Sequence, residues 1–148
     1  MRIVKYIFTP NQERYEGVRP INIYLLRTLY FLMAAVVATD SWKSLLTHDG
    51  QWDRFRVMSL CVWAAYPTLG ILGLINPLKM IPIMLFMIFY KSLWLIFVAL
   101  PLWREGTLAA SPAAEMTGVF ILAPPLAAIA VPWVYTFKTF VLPQRKPN

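Results

Sequence analysis

The sequence predicts an all-α protein, a polytopic bundle of four transmembrane helices, and three observations lead there. Of its 148 residues, 59% are hydrophobic and only 14% charged, far from the balance of a soluble domain. The apolar residues gather into four runs, about 21–39, 57–75, 80–102 and 116–137, each close to the ~20 residues that cross a bilayer as helix. None of the runs alternates as the ~10-residue strands of a membrane barrel do, so helices are the expected way to satisfy the backbone in lipid.

Residues 1–20 read as a pre-membrane segment at the cytoplasmic headgroups, where Ile3, Val4, Ile7 and Phe8 mix with Arg2 and Lys5 before the turn-prone Thr9-Pro10-Asn11. Ala35 to Ala38 loosely resembles a small-residue cleavage site. The first run is nevertheless longer than the ~7 to 15 apolar residues of a signal peptide, so a permanent helix is expected. Span one follows Pro20. The stretch from Thr39 to Arg56 is the longest polar connection, with Asp40-Ser41-Trp42 predicting a short interfacial helix bearing Trp42, Leu45 and Leu46, and Asp49-Gly50 a turn. Spans two and three are joined by Asn76-Pro77-Leu78-Lys79, too short for anything but an antiparallel hairpin. A loop from Trp103 to Glu115 precedes span four, and residues 138–148 form a basic cytoplasmic tail.

Orientation follows from the basic residues. Arg2, Lys5, Arg14, Arg19, Lys79, Lys138, Arg145 and Lys146 fall on one side, and Lys43, Arg54, Arg56 and Arg104 on the other. The positive-inside bias predicts both termini in the cytoplasm. Asp40, Asp49, Asp53, Glu105 and Glu115 lie on the opposite side, and the aromatics Trp42, Trp52, Trp103, Tyr24, Trp133 and Tyr135 mark the two interfaces. The net charge of +7 flanks apolar spans and forms no stripe of the kind that binds nucleic acid.

Lys91 is the best functional clue. It lies about 16 Å along the helix from Met80, near the midpoint of a ~30 Å hydrocarbon core, and the four apolar runs hold no acid to pair with it. An ammonium at that depth costs roughly 2.5 to 3.5 kcal/mol on insertion scales, so it should face the bundle, water or a ligand, the other escape being a neutral amine. Aligning the spans places Tyr30, Tyr66 and Pro124-Pro125 at similar depth. Carbonyls released by Pro67, Pro124 and Pro125, the two tyrosine oxygens, or the rings of Trp63 and Trp94 are its expected partners. Such a layer is either internal glue or a site for an anion, an anionic lipid head or a quinone-like ligand. Arg27, about seven residues inside span one, reads as a snorkelling cation, or as a lipid-phosphate ligand together with Lys79 or Lys138.

Small residues are spaced for helix contact at Ala34 and Ala38, Ala64 and Thr68, Gly70 and Gly73, and Ala123 and Ala127. A homo-oligomer or a membrane-protein partner would use the same features. His48, Asp49 and Asp53 are the one local group resembling a metal or acid-base site, and a solvated turn closed by Gly50 explains them better. One cysteine, Cys61, excludes an intramolecular disulfide and CxxC chemistry, and one histidine excludes bis-histidine haem ligation within the chain. With no phosphate-binding glycine loop and no nucleophile elbow, the expectation is a protein without catalytic residues, metal or cofactor.

Trp63-Ala64-Ala65-Tyr66, Asn76-Pro77-Leu78-Lys79-Met80-Ile81-Pro82, Tyr90-Lys91-Ser92-Leu93-Trp94 and Pro101-Leu102-Trp103 together resemble small four-span bacterial membrane proteins of unassigned function. The resemblance covers spans two and three and implies a bacterial inner-membrane address, with no activity attached. The functional expectation is a non-catalytic membrane protein that binds a lipid, a small ligand or a membrane partner. Its competitors are a small transporter or channel subunit with Lys91 lining the path, and a lipid-acting enzyme at the outer surface.

Overall fold

The computed structural model describes residues 6–142, which are helical apart from loops and one isolated backbone bridge between Asn11 and Val18. Arg2, Ile3, Val4, Lys5, Arg145 and Lys146 lie outside the described residues. Four helices are long and apolar enough to cross a membrane: α1, Pro20–Leu46; α2, Arg54–Ile75; α3, Ile81–Arg104; and α4, Ala113–Ala130. Each keeps large apolar side chains exposed, such as Phe31 and Val36, Met58 and Leu69, Phe89 and Phe97, and Leu122 and Ile129. Water would penalise that surface and hydrocarbon does not. The chain divides into two compact units between Ile83 and Met84, so α3 starts in the first and runs through the second.

In the first unit Asn11 caps a one-turn helix, Gln12–Tyr15, by accepting from the Arg14 N–H at 2.9 Å. The chain then turns back through left-handed backbone at Glu16 and Gly17. Pro20 occupies the first turn of α1, where its missing N–H and fixed φ suit a helix start. This helix is α-helical over Pro20–Leu32, widens to a π-helix over Met33–Ala38, and returns to α over Thr39–Leu46. The polar connection therefore begins after Leu46 and not at Thr39, and no separate interfacial helix starts at Asp40. The reason is local: Ala34, Ala35 and Ala38 favour helix, no Gly or Pro interrupts them, and the wide turn absorbs an extra residue without ending the hydrogen-bonded run.

The start of α2 is set by Asp53, whose carboxylate accepts from the Arg56 N–H at 2.8 Å. Pro67 cannot donate to the preceding turn, and α2 is interrupted between its parts Arg54–Gly70 and Leu72–Ile75. α1 and α2 pack through small groups. Gly70 lies 3.5 Å, by its would-be Cβ, from the Tyr30 ring, and a Cβ on Gly73 would overlap that ring outright. Glycine at 73 is a requirement of close approach.

In the second unit α3 also widens, over Leu95–Ala99, before its last turn Leu100–Arg104. It ends in a Schellman pair: the Thr107 N–H bonds the Leu102 carbonyl, the Gly106 N–H bonds that of Trp103, and Gly106 takes φ 71°. α4 carries Pro124 and Pro125 in its interior and stops at Val131, which takes extended backbone as a residue before proline does. A short helix α5, Trp133–Thr136, follows. Because Pro132 has no N–H for the Ala128 carbonyl, the Trp133 indole supplies one at 2.8 Å.

Candidate functional site

Lys91 is 4% exposed on α3. Its Nζ stands 4.6 Å from the centroid of Phe120, on α4, and 6.0 Å from that of the adjacent Tyr90. Phe120 is itself buried and is held edge-on by Tyr90 at 5.8 Å and by Trp94 at 5.2 Å. Phe86 extends the cluster to Tyr90 at 5.4 Å. Edge-to-face packing leaves the ring of Phe120 locked between its neighbours while its face takes the ammonium. The helical register produces this directly: Phe86, Tyr90 and Trp94 are four apart and share one stripe of α3, with Lys91 beside it.

Trp94, expected to meet Lys91, instead supports the ring that does. Phe120 was not singled out by the sequence, because one phenylalanine in an apolar run looks like any other lipid-facing or core residue. Its position four residues before Pro124 was the available signal, and that pointed to its carbonyl and not to its ring.

In the first unit Tyr30 is fully buried, and its hydroxyl donates to the Pro77 carbonyl at 3.2 Å. Its ring lies over Gly70 and Gly73, so it is set against the hairpin end of α2. Tyr66, buried on α2, lies four to seven residues from those glycines, or about 6 to 10 Å along the helix, and so at a different level from the Tyr30 ring. Trp63 is half-buried in the same unit. Arg27 is half-buried on α1, and its Nε is fully covered with no hydrogen-bond acceptor among the described residues. Lys79, in the α2–α3 turn, and Lys138, in the second unit, are exposed.

Two tryptophans expected as plain interfacial anchors have further work. The Trp42 indole donates to the Thr68 hydroxyl at 3.0 Å, and that hydroxyl donates on to the Ala64 carbonyl at 2.6 Å, tying α1 to α2. Trp133 completes the end of α4 as described above.

The loop group disperses into structural roles. Asp53 caps α2, and the His48 ring stacks on Trp52 with centroids 3.6 Å apart. Among the described residues no three His, Cys, Asp or Glu side chains converge in a way that would hold a metal ion. In the second unit, the α3–α4 connection holds a largely apolar cleft of about 350 Å³ lined by Trp103, Leu108, Ala109 and Thr117 among others, without an acid or a histidine.

Four apolar helices of spanning length and a buried cation within one of them define a polytopic α-helical membrane protein. The chain matches no protein-family profile, no curated protein and no solved structure, so its class rests on this architecture alone.

Proposed function

We infer that this is a non-catalytic membrane protein that holds a small anionic or quinone-like ligand, with Lys91 as the positive anchor. One observation carries the reading: the ammonium of Lys91, 4% exposed, is met by the face of Phe120 and by no carboxylate of its own span. The magnitudes favour a guest. A desolvated cation-π contact contributes ~2 kcal/mol at best, and phenylalanine offers the weaker kind of face. Holding the charge at mid-span costs roughly 2.5 to 3.5 kcal/mol or more. A ligand bearing an anionic or carbonyl oxygen closes that gap, and the depth of Lys91 favours one that reaches the midplane over a lipid headgroup.

The reading also sets the four helices across a bacterial inner membrane, termini in the cytoplasm. The basic residues, twice as many on one side as on the other, support the orientation. A transport path is the weaker reading, since a Lys91 packed against rings is not lining water. A lipid-acting enzyme at the outer surface is the least supported reading, since Asp53 caps α2 and the His48 ring stacks on Trp52.

Native mass spectrometry of gently extracted wild type and Lys91→Met tests the proposal. Disappearance of a specific co-purifying small molecule from the variant supports it. An identical set of bound molecules in both proteins refutes it.

A further inference from the structure

We propose a second site in the first unit, independent of Lys91: Arg27 and Lys79 bind a phosphate group, presented by an anionic phospholipid at the hairpin end of α1 and α2. The sequence alone puts Arg27 about seven residues inside span one, where it reads as a cation reaching outward to the headgroups. The structure changes its level. Tyr30 packs over Gly70 and Gly73 and hands its hydroxyl to the Pro77 carbonyl, so the α2–α3 turn sits beside the turn of α1 just below Tyr30.

Arg27 is three residues closer than Tyr30 to the start of α1, on the adjoining face. Helical side chains lean toward the helix N-terminus. The guanidinium is thereby carried to the level of the polar turn, which bears the exposed Lys79. The proposal sets that level at the headgroups, where a polar turn between two spanning helices belongs.

Two features point to a phosphate and not to simple snorkelling. Arg27 Nε is buried and without an acceptor among the described residues, so the packing fixes the stem of the guanidinium without satisfying it, and on a half-buried residue the terminal nitrogens are the ones left to meet an oxygen from outside. Planar guanidinium forks match phosphate oxygens two at a time, with an ammonium such as Lys79 as a second point charge. Span one before Asp40 and the α2–α3 turn carry no acid; the nearest acids in sequence to the start of α1 are Glu13 and Glu16.

The full chain in detergent, titrated with phosphatidylglycerol, phosphatidylcholine and inorganic phosphate and read by native mass spectrometry, tests the assignment. Wild type should retain phosphatidylglycerol preferentially, and Lys79→Gln should weaken that preference by about fivefold, as expected for one basic residue at an anionic surface. Arg27→Leu should bring retention down to the phosphatidylcholine level, with Arg27→Lys between. Displacement of the lipid by millimolar inorganic phosphate would keep the phosphate site and assign it to a soluble ligand. Unchanged preference in both Arg27→Leu and Lys79→Gln overturns the proposal. Should Arg27→Leu fail to fold, the exposed Lys79→Gln decides alone: a loss supports the site and no loss overturns it. Neither outcome depends on the ligand of Lys91.

Discussion

Tyr30 and Lys91 are both buried within apolar helices, one in each unit, and they are satisfied in opposite ways. Tyr30 offers a neutral donor, and the fold supplies a backbone carbonyl at 3.2 Å with two glycines cleared beneath the ring. Lys91 offers a full charge, and the fold supplies aromatic faces. A neutral hydroxyl matched to a carbonyl is complete in itself. An ammonium matched to a ring is not, because the quadrupole of the ring is a weak counter-charge. The first arrangement is what packing needs, and the second leaves a reason for something else to bind.

The largest test breaks the second unit at its ring. Phe120→Ala should lose about 3 to 5 kcal/mol, as buried aromatic truncations do. Phe120→Leu keeps most of the apolar volume and should retain all but the ~0.5 to 2 kcal/mol of the charge-ring contact. Equilibrium unfolding in mixed micelles measures both. If Phe120→Leu unfolds like wild type while Phe120→Ala does not, the ring is ordinary packing and the contrast with Tyr30 disappears.

Gly73→Ala attacks the first unit by sterics alone. The new methyl would collide with the Tyr30 ring and should destabilise by ~1 to 3 kcal/mol, the usual range for overpacking. A silent Gly73→Ala would mean that α1 and α2 are not held at this distance. Next in size is Tyr30→Phe, which removes the bond to Pro77 and should lose about 0.5 to 1.5 kcal/mol. Smallest is the Trp42 to Thr68 pair, where a double-mutant cycle of Trp42→Phe and Thr68→Val should give a coupling near ~0.6 kcal/mol. A coupling indistinguishable from zero would return Trp42 to the role of a surface anchor.

The four helices were legible because bilayer thickness dictates their length and the apolar runs show it. Their ends were less so. Hydropathy falls at Thr39 and Asp40, but a helix can continue past the edge of an apolar run, and α1 continues to Leu46. Asp53 could have been read as a cap, being a short acidic residue immediately before the helix, had it not been grouped with His48.

Site partners were the hardest to foresee. Lys91 stands out by charge, whereas Phe120 acquires its role from the facing of α3 and α4, which no local pattern encodes. Trp42 and Thr68 illustrate the same limit: both types suit an interface, yet their bond depends on the register of α1 against α2. Trp133 was closer to hand, since Pro132 announces an orphan carbonyl four residues upstream.

The central claim is that the charge of Lys91 is kept for a ligand and not for the stability of the fold. Its most direct test is the unfolding free energy of Lys91→Met against wild type, both stripped of bound small molecules. Removing a buried charge that lacks a counter-charge should leave stability unchanged or raise it, by an amount on the order of 1 kcal/mol. A loss of about 2 kcal/mol or more in the stripped variant would show that the Lys91 to Phe120 contact is structural, and would contradict the claim.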